Sequence, residues 1–291
     1  MIMVTGANGH LGRAIVEALA DRVPPEDIVA ASRDRGALTV PDGIATRRAD
    51  FSDPGSLTEA FAGIERIEII SVDKLGEEAR DLHRTAIGAA RAVGVERIFY
   101  TSHAGARESS LFAPADQHAA SEADLAATGT PFTALRHGFY AESCLQMVGS
   151  DLKTGELRVP EDGPICWTAR ADLAQADAAL LAGEALFDGA TPPLTAAEAL
   201  TMADIAELAS QVTGREIRHI VISDTEWKDA KVAAGMPELY AEMLLGTFRA
   251  ARCGDFDRVD PTLERLLGRR PRPMRDILAA ELAPATESDH A

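Results

Sequence analysis

The chain has 291 residues, 46% hydrophobic and 26% charged, with a formal net charge of −17. That length suits one large domain or a domain with a smaller lobe, and the acidity opposes attraction to nucleic acid or anionic lipid, so neither is an expected partner. No apolar run approaches the ~18 residues a membrane span needs, no leader is expected because the phosphate loop begins at once, and the scattered Cys144, Cys166 and Cys253 suit reduced thiols in a cytoplasm, with no disulfide frame and no metal site expected.

Residues 2–5 form a short apolar, partly β-branched run suited to a buried parallel strand. Gly6, Gly9 and Gly12 follow at spacing three, and residues 11–20 carry apolar side chains at helical spacing. This is the strand, turn and helix order of a dinucleotide-binding unit, although the spacing is G-x-x-G-x-x-G and not the commoner G-x-G-x-x-G. Gly6 permits the sharp turn, Gly9 lets the backbone approach a pyrophosphate, and Gly12 lets the helix pack closely on the sheet. Asn8, His10 and Leu11 complete a loop whose free N–H groups, at the positive end of the helix dipole, face the phosphates.

A second strand over 27–32 follows Pro24-Pro25 and ends in Ser32-Arg33. Ser32 stands where an NAD enzyme places an acid for the ribose hydroxyls, and Arg33 is a candidate for a 2′-phosphate, so NADP(H) is expected over NAD(H). Asp34 next door leaves a plain surface arginine as the rival. A third strand over 45–51 ends in Asp50-Phe51, a carboxylate and an aromatic that can frame an adenine; a helix cap by Ser52 or Asp53 ahead of Pro54 competes. A fourth strand over 66–71 ends at Ser71, a further cofactor candidate, and a helix over 77–93 stops at Gly94. The fifth strand, 96–101, leads into Ser102-His103. A helix over 114–128 and a sixth strand over 132–136 lead into His137-Gly138-Phe139-Tyr140. The regular alternation implies an α/β fold with a doubly wound, Rossmann-type parallel sheet, whose ligands bind at the carboxyl ends of the strands.

Downstream the pattern loosens. Strands over 156–159 and 165–168 precede a helix over 172–186, and Thr201 caps a helix that closes at Gly214. A strand over 217–222 and a helix over 226–253, broken at Pro237, follow. The division expected is 1–150 for the nucleotide domain and 151–283 for a smaller α+β lobe with segments returning to the sheet. A disordered tail over 284–291 completes it.

These residues give the chain a resemblance to the NmrA-like atypical short-chain dehydrogenases, in particular the type 2 NAD(P)H:quinone oxidoreductases and triphenylmethane reductases. The resemblance runs nearly end to end. It rests on Val4-Thr-Gly-Ala-Asn-Gly-His-Leu-Gly12, Arg48-Ala-Asp-Phe51, Ile98-Phe-Tyr-Thr-Ser102, Leu135-Arg-His-Gly-Phe-Tyr140 and Thr168-Ala-Arg-Ala-Asp-Leu173. It implies an NADPH-binding domain, a small C-terminal lobe, and reduction of quinones or dyes without a flavin. His137 and Ser143 depart from it, since the family usually has asparagine at both.

None of Tyr100, Tyr140 and Tyr240 has lysine four residues later, so the Tyr-x-x-x-Lys proton donor of common short-chain dehydrogenases is missing. His118, where that dyad would fall, is a candidate general acid by its ordinary pKa, with a hydrogen bond to Glu122 as the bland alternative. Ser102 is a candidate for polarising a substrate oxygen, or for capping. His103, His137, Phe139 and Tyr140 are candidates for the substrate pocket, with the two aromatics stacking on an acceptor or simply packing. Trp167, Arg170 and Asp172 read as structural, the last as a helix N-cap. The leading expectation is an NADPH-dependent reductase of a quinone or related aromatic acceptor. A non-catalytic NADP(H) sensor that binds a partner protein is the alternative, reduction or isomerisation of another small metabolite is a third, and monomer and homodimer both stay open.

Overall fold

In the computed structural model, which describes residues 1–282, the apolar β-branched runs become the strands of one seven-stranded sheet. They are β1 (Ile2–Val4), β2 (Ile28–Ser32), β3 (Ala45–Arg48), β4 (Arg66–Ile69), β5 (Arg97–His103), β6 (Phe132–His137) and a two-residue edge, β8 (Gly189–Ala190). All neighbours pair in parallel, in the order β3-β2-β1-β4-β5-β6-β8. The order reverses between β1 and β4, which opens a crevice at their carboxyl ends.

Helices cover both faces, as the near-continuous burial of β2 and β5 demands. On one face α1 (His10–Ala20) lies beside α6 (Arg170–Ala182), and Ile15, Leu19, Leu173, Leu180 and Leu181 meet Ile2 and Val4. On the other, α2 (Pro54–Phe61), α3 (Gly76–Ala92) and α4 (Ala113–Thr128) pack in a row, with Leu57, Phe61, Ile87 and Leu125 over Met3, Ile67 and Tyr100.

The rest of the chain builds a lobe with its own core around Trp167, Trp227 and Phe248. It contains α5 (Ala141–Thr154), β7 (Glu156–Pro160), α7 (Met202–Thr213), β9 (Arg218–Ile222), α8 (Asp224–Ala233), α9 (Glu238–Arg252) and α11 (Met274–Leu282), while α10 (Thr262–Leu267) returns to pack on α6 through Leu263. β7 and β9 form a separate parallel pair. Thr201 caps α7 in a reciprocal capping box with Asp204, and Gly214 ends it with φ +66°.

Several expectations need correction. Residues 165–168 are not a strand: Ile165 bridges Leu200 and Thr168 bridges Tyr140 singly, because the segment crosses between sheet and lobe. The helix expected from 172 begins at Arg170, and Asp172 is not its cap. Its buried carboxylate accepts from the Arg269 guanidinium at 2.7 Å and from the Arg272 backbone N–H, pinning the C-terminal segment to α6. The third strand stops at Arg48, since Asp50 turns the chain by accepting from the Ser52 N–H at 3.0 Å, and Asp53 caps α2. The tail expected over 284–291 lies outside the described residues. Among the described residues no helix is long and apolar enough to cross a membrane.

Candidate functional site

Gly6 leaves β1 with φ +59°, and the Gly9 N–H closes the turn on the Gly6 carbonyl at 2.9 Å. A Cβ on Gly12 would stand 2.4 Å from that carbonyl oxygen, so the start of α1 can rest on the loop only without a side chain there. Gly9 caps α1 with no side-chain hydrogen bond, leaving the first N–H groups of the helix open. In front of them lies a cleft of about 490 Å³, bordered by Gly6, Asn8, Gly9, Arg33, Asp50 and Phe51, with Ser71 at its inner end. His10 is exposed at the helix start, and Leu11 is buried in the core; neither borders the cleft.

No carboxylate occupies the tip of β2. Ser32 donates to the Asp34 carbonyl at 2.6 Å, and the Asp34 carboxylate turns back to accept from the Gly36 N–H at 2.8 Å. Arg33 is exposed in the cleft and enters no ion pair among the described residues. Asp50 is held below its usual carboxylate range by the Ser52 hydrogen bonds and by Arg48.

Residues 71–74 also wall a second cavity of about 320 Å³, lined by His103, His118, His137, Phe139, Tyr140 and Phe112 among others. Cleft and cavity are therefore neighbours with residues 71–74 in common. The Ser102 hydroxyl reaches this cavity but donates to Glu122 at 2.6 Å, and Glu122 is gripped by Arg136 through bonds of 3.0 and 2.7 Å. Ser102 thus has no proton free to polarise a substrate. Glu122 is not the partner of His118 either: Nδ1 of His118 lies 3.0 Å from the Tyr100 hydroxyl.

Burial decides the protonation of the imidazoles. It lowers the pKa of His83 to about 4 and, with the neighbouring His137, that of His103 to about 3. His118 lies well below its usual value through burial and the neighbouring imidazoles. A cationic His118 serving as general acid near neutrality is therefore replaced by a neutral imidazole. Phe139 packs edge-on to His103, Trp167 and Phe256, with ring centroids 4.9 to 5.4 Å apart. Tyr140 carries the Arg170 guanidinium 5.0 Å from its ring centre, and burial raises its phenol far above the usual value.

The NmrA-like family description matches residues 1–272. The chain belongs to the NmrA-like family. It is 34% identical to quinone oxidoreductase 2 of Escherichia coli over 92% of this chain and 94% of that one. The crystal structure of an NADPH-dependent quinone oxidoreductase from Escherichia coli, complexed with NADPH, superposes with a TM-score of 0.90 at 32% identity, covering 96% of this chain and 99% of the other. The triphenylmethane reductase of a Citrobacter species, complexed with NADP(H), gives 0.90 at 30% identity over 97% and 100%.

This NmrA-like chain also holds a buried polar group that its sequence did not announce. Nε2 of His137, at the end of β6, lies 3.0 Å from the Asp177 carboxylate of α6, both fully enclosed. Glu68 of β4 stands against the same carboxylate with no exposed surface, and burial, then the Asp177 charge, raises its pKa well above the usual range. The available signal was a lone acid between isoleucines in a strand covered on both faces.

Proposed function

We propose that this NmrA-like chain is an NADPH-dependent reductase that passes hydride to a quinone or related aromatic acceptor. The observation that carries this reading is the wall of residues 71–74, common to the phosphate-loop cleft and the aromatic cavity. A dinucleotide lying along the cleft brings its far end to that wall. The names and bound cofactors of the relatives support the same reading.

Gly6, Asn8 and Gly9 hold the pyrophosphate against the α1 N-terminus, Arg33 takes the 2′-phosphate, and Asp50 with Phe51 borders the adenine end. When bound, the nicotinamide supplies the hydride. Phe139 and Tyr140 offer ring faces to a flat acceptor, and Tyr240, Met243 and Leu244 of α9 close the cavity from the lobe side. The parallel sheet with its helices thus carries the cofactor, and the lobe completes the acceptor site. His83, His103 and His118 are neutral near pH 7, so the proton that completes a quinol comes from water.

Mixing purified protein with NADPH and small quinones, without added metal or flavin, is expected to oxidise the cofactor at 340 nm. Tight NADPH binding with no oxidation across quinones, dyes and enones would overturn the reductase and favour a cofactor sensor.

A further inference from the structure

Two imidazoles face the cavity with their tautomers fixed from behind. The Gly105 backbone N–H donates to Nδ1 of His103 at 3.0 Å, so the ring proton of neutral His103 sits on Nε2. That Nε2 is buried and has no partner among the described residues. On the other side, the Val72 N–H donates to Nε2 of His83 at 3.0 Å, which places the His83 proton on Nδ1, toward Ser121 at 3.0 Å. The Tyr100 hydroxyl cannot donate to that protonated Nδ1 at 3.3 Å, and we assign its proton to Nδ1 of His118 at 3.0 Å. His118 therefore also carries its proton on Nε2. The two rings stack at 6.2 Å with 19° between their planes. Gln117, 5% exposed on the same wall, adds a second buried nitrogen without a partner.

Buried donors left unpaired are rare in folded proteins, and here they line the cavity where the acceptor is placed. We infer that His103 and His118 form a neutral two-donor site for a carbonyl oxygen of the acceptor, selecting acceptors whose reduction puts negative charge on oxygen. The inference rests on the reductase reading. Hydride adds two electrons and one hydrogen to a quinone and leaves a quinolate oxygen. The Nε2–H groups hydrogen-bond to that oxygen without surrendering their protons, and water protonates it to the quinol. A cationic triarylmethane dye accepts the same hydride on carbon and becomes neutral, so the donors do nothing for its reduction.

The charged and titratable groups packed around the pair are His83 of α3, Glu122 of α4, Arg136 and His137 of β6, and Asp73 with Lys74 on the shared wall. Glu122 and Arg136 neutralise one another, and neither His103 nor His118 titrates near neutrality.

The test compares a benzoquinone with a cationic triarylmethane dye, with NADPH as donor, between pH 5 and 8. His103→Phe or His118→Phe is expected to lower kcat/KM for the quinone roughly 10- to 100-fold and to lower the quinone-to-dye ratio by at least about tenfold. Tyr100→Phe, which removes only the group positioning His118, shifts the ratio the same way by less. Equal losses for both acceptors overturn the inference, as does a wild-type quinone profile that falls with a histidine pKa near 6.5. A second arm needs no variant: wild-type protein saturated with NADP⁺ is titrated with 4-nitrophenol. Capture as the phenolate, seen by its absorbance band below the solution pKa of the phenol, is expected; capture as the neutral phenol, or none, overturns it. If the protein oxidises NADPH with no acceptor, the reductase reading falls and this second arm still decides the donor site.

Discussion

The hydroxyl of Tyr100, buried in β5, lies 3.0 Å from Nδ1 of His118 and 3.3 Å from Nδ1 of His83. This stretch of the fold tolerates no imidazolium, and the cost appears as acid sensitivity. An unfolded histidine takes up a proton below about 6.5, whereas folded His83 resists until about 4. Stability therefore falls as pH drops through that window, by on the order of 3 kcal/mol for His83. The stability advantage of wild type over His83→Asn, from urea unfolding, is expected to shrink from pH 7 to pH 4.5. A constant difference would show that folded His83 takes up its proton in the same range as the unfolded chain.

Glu68 acts with the opposite sign. Its folded pKa is raised, so it favours the fold fully below the unfolded value of about 4.5, and that contribution is lost as pH rises toward the folded value. Glu68→Gln keeps the shape without the titration. It is expected to gain stability relative to wild type as pH climbs from 4.5 to 8, measured by thermal unfolding. Parallel curves would show that Glu68 titrates in the fold as it does in the unfolded chain.

Arg33 is the exposed cation of the cofactor cleft. Charge-assisted hydrogen bonds to a 2′-phosphate contribute ~1.5–3 kcal/mol. Arg33→Ala is therefore expected to weaken NADPH by roughly 10- to 100-fold and NADH little, by fluorescence titration. Equal losses would remove Arg33 from phosphate recognition.

The glycines of the phosphate loop should respond differently. A methyl on Gly12 collides with the Gly6 carbonyl at 2.4 Å, whereas on Gly9 its nearest atom is that oxygen at 3.3 Å. Gly12→Ala is expected to lose about 1–3 kcal/mol of stability along with cofactor affinity. Gly9→Val is expected to keep the fold and lose binding of both cofactors. Denaturant midpoints beside NADPH titrations separate the two effects.

The phosphate loop and the alternation through β6 were legible because each depends on neighbours in the chain: glycine spacing, apolar runs, and breakers such as Gly94. α5 was not read, since Ser143, Gly149 and Ser150 interrupt its helical pattern, and its buried residues face the lobe core, whose other members come from distant segments. Asp172 looked like a cap because its partners, Arg269 and Arg272, lie near the far end of the chain. The same distance hid the meeting of Glu68, Asp177 and His137, and the tautomers of His103 and His118 depend on backbone N–H groups that no residue pattern displays.

The partnership of α1 with α6 also has a consequence for biosynthesis. The strand β1 and helix α1 leave the ribosome well before α6, and Leu173, Leu180 and Leu181, which cover the face they share, are made only after every strand from β1 to β7. Until then a nascent chain carries Ile2, Val4, Ile15 and Leu19 without their native cover on that side, and the Arg66 guanidinium waits for the Leu181 carbonyl it later holds at 2.8 Å. A fragment ending near residue 150 would expose that apolar face and be a client for chaperones. The nucleotide-binding half becomes complete only when the second half has been translated.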